Sequence, residues 1–272
     1  MSAPRQRGRW ASRLVQLTFL VVLIAVWLVA TNWQWIGPYL LPRQWYLAID
    51  WKGISPILLP NPINVFWELV DVLWTLEFVG DLRVTLMELV IAFSLSSTTA
   101  VTLGYLISRS QYSIRVFEPL LAGMYSIPII LFLPLYILFF GLGPASKIAL
   151  GFTTSFFPIV LNTIAGFGYV DRIFILSARS MGASDVQLFR WVLLPAAFPI
   201  ILTGLRIGFT VALLSILGSE TIASLAGLGH RIVHLAEGMD TARMFAYIAF
   251  AVAIALTLNT VTSSLEARAR RH

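Results

Sequence analysis

The chain has 272 residues, 58% of them hydrophobic and only 12% charged, with a mean hydropathy of +0.83. Soluble domains sit nearer half apolar and a quarter charged, so this composition excludes a purely water-solvated fold and calls for lipid as part of the solvent. The formal charge is +6, but the arginines cluster at the ends of apolar runs, which marks membrane orientation rather than nucleic-acid binding; the absence of cysteine excludes disulfides and thiolate metal sites.

Arg5, Arg7, Arg9 and Arg13 precede an apolar run from Leu14 to about Thr31. That run is longer than the apolar region of a signal peptide and lacks a small-residue cleavage site, so it reads as a retained first transmembrane helix. A helix needs roughly 20 apolar residues to cross the hydrocarbon core. Six segments meet or approach this: about 14–31, 84–107, 116–140, 146–165, 198–217 and 245–261. The predicted organisation is a tail over 1–13, one transmembrane domain over 14–265 and a second tail over 266–272. Between the first two spans, Trp33, Trp35, Tyr39, Trp45, Tyr46 and Trp51 form an interfacial aromatic belt. Pro60-Asn61-Pro62 breaks the chain, and Asn64 is expected to cap a short amphipathic helix reaching about Glu77.

Twelve Lys and Arg fall on one side of these spans, including Arg109, Arg115, Arg172, Arg179 and Arg190 in the short loops. Six fall on the other: Arg43, Lys52, Arg83, Lys147, Arg231 and Arg243. The positive-inside rule then places both termini in the cytoplasm.

The longest cytoplasmic loop covers about 168–197. Residues 171–181 read as a helix that Gly182 stops, as a glycine with positive φ does after a helix end. Ser184 and Gln187 have capping-box spacing and start a second helix, expected to halt at Pro195. Two short helices with apolar and basic faces suit docking to a soluble partner; an interfacial helix lying on lipid is the alternative.

Leu176-Ser177-Ala178, Gly182 and, nine residues later, Val192-Leu193-Leu194-Pro195 carry a resemblance. The loop resembles the EAA loop of binding-protein-dependent ABC transporter permeases, whose pattern is E-A-A, three residues, G, nine residues and I-x-L-P. Leu176 replaces the acidic residue, so no ion pair runs through that position. Ser126-Ile127-Pro128, Leu133-Pro134, Phe140-Gly141-Leu142-Gly143, Phe156-Phe157-Pro158-Ile159, the stretch from Leu202 to Gly208, Glu220 and Gly227-Leu228-Gly229 are similar to the nitrate/sulfonate/taurine branch. Glu88 departs from it, standing where the branch more often carries arginine.

The resemblance implies an all-α polytopic inner-membrane permease of the type I importer fold, with six transmembrane helices and a cytoplasmic coupling helix. It implies that Ser177, Ala178, Gly182, Ala183, Ser184, Leu194 and Pro195 belong to the element that couples to a separate ATPase. The implied partners are two ATPase copies, a second and identical permease copy, an external solute-binding protein and the lipid bilayer. No cofactor, nucleic acid or catalytic group is expected. The chain has no glycine-rich phosphate loop, since Gly141 to Lys147 has the wrong spacing. The branch implies a small anionic solute such as a sulfonate, taurine or nitrate.

Arg206, Pro128 and Glu220 are the candidate path residues. Arg206 is a strong charge deep in an apolar run; it lines the path, or it forms a structural ion pair or snorkels toward the headgroups. Pro128 and Pro134 mark either a broken helix or simple kinks. Gly204 and Gly208 have the spacing that permits close helix approach. His230, His234 and Glu237 share one helical face, which suits a metal less well than an exposed outer loop. An ion-coupled transporter would show internal repeats and midplane charge, and a membrane enzyme would show converging catalytic groups. Neither pattern is present in the sequence.

Overall fold

The computed structural model of the protein describes residues 4–33, 36, 54–55 and 57–269. Trp35, Tyr39, Trp45, Tyr46 and Trp51 of the expected aromatic belt lie outside the described residues, as do Arg43, Lys52, Arg270 and Arg271. No strand occurs among the described residues. The chain divides into two compact units, Met1–Thr75 with Ile232–Phe250, and Leu76–Arg231 with Ala251–His272.

In the first unit, α1 spans Pro4–Thr31 and α2 spans Pro62–Val72. Asn61, not Asn64, caps α2: its side chain accepts from the Ile63 N–H at 3.0 Å. Pro62 takes the first helical position, where no N–H is needed, and the helix ends at Val72 rather than Glu77. Trp27 donates to the Pro60 carbonyl at 3.0 Å, and Asn61 donates to the Asn32 side chain at 2.8 Å. Arg243 holds Glu68 at 3.1 Å.

In the second unit, α3 spans Leu76–Ser108, α4 Gln111–Tyr125, α5 Leu133–Phe140 and α6 Pro144–Gly168. The short helices α7 (Arg172–Ser180) and α8 (Asp185–Leu188) follow, then α9 (Leu194–Ile222). Two helices, α10 (Leu228–Glu237) and α11 (Thr241–Ala269), complete the chain. The core is α6 packed against α3 and α9. The buried face of α3 recurs every three or four residues through Phe78, Asp81, Thr85, Glu88, Ala92, Ser96, Ala100, Gly104 and Ile107. Ser155 of α6 donates to Ser96 of α3 at 2.6 Å. Gly204 and Gly208 let α9 lie directly on α6: a Cβ on either would sit 2.5 Å from Asn162 Cβ or Ile159 Cγ1.

Among the described residues four helical runs are long and apolar enough to cross a membrane: Leu76–Ser108, Pro144–Gly168, Asp185–Ile222 and Thr241–Thr260. The predicted span 116–140 is a broken pair, Gln111–Tyr125 and Ile129–Phe140, bent by 74°. The break falls at Pro128, which is extended (φ −65°, ψ 93°) and opens a 3-10 turn over Ile129–Phe132. Within α1 the described apolar stretch is Thr18–Thr31.

Pro195 does not halt the helix that Ser184 starts. The chain stays helical over 38 residues from Asp185 to Ile222. Phe189–Leu193 widens to a π-helical turn in which the Leu194 N–H reaches the Phe189 carbonyl. That register change absorbs a residue without an N–H, as membrane helices do around proline.

Candidate functional site

The projecting loop is built by local chemistry. Asp171 caps α7, accepting from the Ile173 N–H at 2.9 Å. Gly182 closes the helix with φ +78°; its N–H reaches the Arg179 carbonyl at 2.9 Å, and the Ala183 N–H reaches the Ala178 carbonyl at 3.0 Å. This is the left-handed helix stop that the sequence predicts. The capping box is complete, with the Ser184 N–H donating to Gln187 Oε1 at 2.9 Å and the Gln187 N–H to Ser184 Oγ at 3.4 Å. Arg179 pairs with Asp185 across the turn.

Ser177, Gly182 and Ser184 are exposed, Ala183 is half-buried and Ala178 is buried. Leu194 and Pro195 lie at the root of the projection, half-buried and exposed. Ile173, Phe174, Leu176, Met181 and Val186 expose more than half of their surface. An apolar tip is thus held between two capped helix ends, the form a protein groove accepts.

A second feature is a buried polar knot. Glu220 lies in α9 at 1% exposure. Its Oε1 accepts from the Thr85 hydroxyl at 2.7 Å and its Oε2 from the Gly229 N–H at 2.8 Å. Thr85 accepts from the Leu228 N–H at 3.0 Å, and Asp81 from the Gly227 N–H at 3.2 Å. Side chains of α3 and α9 therefore satisfy the first N–H groups of α10, which have no partner within their own helix. Arg231 closes the group, with Nε 2.8 Å from Asp81 and Nη1 3.3 Å from Glu77. Gly227 has φ +108°, and a Cβ there would run into the Glu220 carboxylate.

Glu88 and Lys147, both fully buried, adjoin this knot. Lys147 donates to the Leu142 carbonyl and to Ser146 Oγ at 3.3 Å. Among the described residues no donor reaches either Glu88 oxygen in hydrogen-bonding geometry; the Glu220 carboxylate and the Lys147 ammonium are the charged groups beside it. The sequence places Lys147 among the cations of the outer edge; the structure buries it beside carboxylates. Asp81, Thr85, Lys147 and Arg231 are the members that sequence reasoning missed. The available signal was the spacing of Asp81, Thr85 and Glu88 on one face of an apolar helix.

Arg206 is half-buried in α9 and its Nη1 stands 3.5 Å from Ser263. Pro128 lies at the 74° break. His230, His234 and Glu237 lie on α10, and no group of three His, Asp or Glu suited to a metal occurs among the described residues.

Comparison with known proteins adds the family. The chain is similar to the taurine transport system permease protein TauC of Escherichia coli (strain K12), at 30% identity over 97% of this chain and 92% of that protein. It is also similar to the putative aliphatic sulfonates transport permease protein SsuC of the same organism, at 28% identity over 86% of this chain and 82% of that one. Among solved structures, an inward-facing MetNI methionine ABC transporter matches with a TM-score of 0.56 at 18% identity, over 76% of this chain and 98% of the other, which shows the fold. The family model for the binding-protein-dependent transport system inner membrane component matches residues 96–271. With that match over more than half of the chain, on a bundle of apolar helices with a projecting capped loop, the protein belongs to this family as the membrane-spanning permease subunit of an ABC importer.

Proposed function

We propose that this permease carries a small anionic solute, of the sulfonate or taurine kind, and that a separate ATPase drives it by docking on α7, the Gly182 turn and α8. Two copies of the chain form the path, an external binding protein delivers the solute, and both termini are cytoplasmic. Residues 14–265 act as one membrane domain. The observation that carries the docking reading is the Gly182 turn, which holds apolar side chains exposed between two capped helix ends. ATPase closure then reaches the membrane through the unbroken helical run from Asp185 to Ile222, as rigid-body movement.

The solute class is supported by the names of the similar permeases and by Arg206, an ionisable side chain well inside α9 and only half-buried. Charge inside a membrane is costly and tends to serve a pathway. Pro128 lies at the break of a bent pair of apolar helices, a geometry that lines cavities. Glu220 contributes by holding the start of α10.

The test is ATP hydrolysis by the reconstituted transporter with its binding protein. Alkanesulfonate or taurine is expected to stimulate hydrolysis and uptake. Arg206→Gln is expected to lower uptake roughly tenfold, as loss of a charged hydrogen-bond donor does, while the ATPase still co-purifies. Stimulation by neutral solutes alone, or equal loss of assembly and uptake in Arg206→Gln, would contradict the anion reading.

A further inference from the structure

A cavity of about 650 Å³ opens at the loop end of α3 and α6. Its wall includes Tyr105 and Phe167, with ring centroids 5.1 Å apart, backed by Phe189 at 4.9 Å from Tyr105. Arg109, Arg172 and Arg179 line it against one acid, Asp185. The Arg179 charge is already paired with Asp185. Arg109 and Arg172 make no side-chain hydrogen bond or ion pair among the described residues. Two unspent guanidinium groups on one cavity match the oxygens of a phosphate ester. Ser108 and Gln111 add neutral hydrogen-bonding groups to the lining.

A shallow groove runs along the outside of α3, lined by Thr98, Thr99, Thr102, Leu103 and Leu106. Thr98, Thr102 and Leu106 follow one another at four-residue steps, and Arg109 comes three residues later. Groove and basic cavity therefore share one helix face. Leu103 and Leu106 are exposed on a helix long and apolar enough to cross the membrane.

We propose that the cavity binds the phosphodiester headgroup of an anionic phospholipid, whose acyl chain lies in the α3 groove. Free phosphate would satisfy the two arginines but leaves the adjoining apolar groove without an occupant. Basic pockets among the ends of transmembrane helices are known to hold such headgroups. The site depends neither on the solute nor on which ATPase docks. A lipid there would brace the root of the coupling loop against α3, because Arg172 opens α7 and Arg109 follows α3.

The experiment is native mass spectrometry of the purified permease–ATPase complex, exchanged with phosphatidylglycerol or phosphatidylcholine. The wild type is expected to retain phosphatidylglycerol in preference to phosphatidylcholine. Arg109→Gln/Arg172→Gln is expected to lose that retention on the order of tenfold, and millimolar inorganic phosphate is expected not to displace the lipid. Equal retention of both lipids, unchanged retention in the double variant, or displacement by inorganic phosphate would overturn the proposal. If the double variant fails to assemble, wild-type complex is labelled with phosphatidylglycerol carrying a photoreactive headgroup. Adducts within residues 105–111 or 167–175 support the site, and adducts confined elsewhere overturn it. The ATPase in the same sample reports loop docking separately: ATPase lost with lipid retained counts against the docking reading and not against this site.

Discussion

Gly182→Val is expected to leave the permease inserted in the membrane, to weaken its association with the ATPase and to abolish solute-stimulated hydrolysis. A Cβ at residue 182 would meet nothing within 4 Å. The effect therefore comes from the backbone alone, because φ is +78°. An L-residue in that region costs roughly 1–2 kcal/mol, and a β-branched one more. Relief of that strain turns the chain out of the left-handed region. The bonds from the Gly182 and Ala183 N–H groups to Arg179 and Ala178 then break. The Ser184 capping box and the Arg179–Asp185 pair are shifted with them. The apolar tip presents at a different angle while the long apolar helices are untouched. Gly182→Ala is expected to retain part of the stimulation. Co-purification of the ATPase and its hydrolysis rate with loaded binding protein measure both variants.

Glu220→Ala is expected to destabilise the permease by about 3–5 kcal/mol, the range for removing one member of a buried polar network. It leaves the Gly229 N–H without its acceptor and removes the partner of the Thr85 hydroxyl. Lys147 also loses a carboxylate neighbour in the same buried region. Glu220→Gln is expected to be milder. Its amide oxygen can still accept from Gly229, and its NH₂ can donate to Thr85, whose oxygen has two acceptor lone pairs and already takes the Leu228 N–H. Thermal unfolding of the solubilised complex should show a large loss for alanine and a small one for glutamine. Equal midpoints for Glu220→Ala and the unaltered protein would show that the knot does not hold α10.

Local features were the ones readable from the sequence. Gly182, Ser184 and Gln187 act within five residues of one another, so their turn and cap followed from spacing alone. Apolar runs marked the long helices for the same reason. Local rules erred where a neighbouring device replaced them. Asn61 outcompeted Asn64 because Pro62 is suited to the first helical position. Pro195 ended nothing because a π-helical turn absorbs it. Within the candidate site, Glu220 was visible as a match to the family resemblance and Glu88 as a departure from it, but their partners were not visible. Thr85 lies 135 residues from Glu220, and Asp81 lies 150 residues from Arg231. Only packing of α3 against α9 and the start of α10 brings them together.

The proposed docking puts a separate ATPase on α7, the Gly182 turn and α8. The protein has no cysteine, so Val186→Cys creates a unique thiol on an exposed position of α8. Labelled there with a short photoreactive group and irradiated in membranes containing the whole transporter, the permease is expected to form one adduct with the mass of permease plus ATPase. The same label at exposed Leu225, beyond the far end of α9, is expected to form none with the ATPase. Adducts to lipid alone from Val186→Cys, or an ATPase adduct from Leu225→Cys and not from Val186→Cys, would contradict the account.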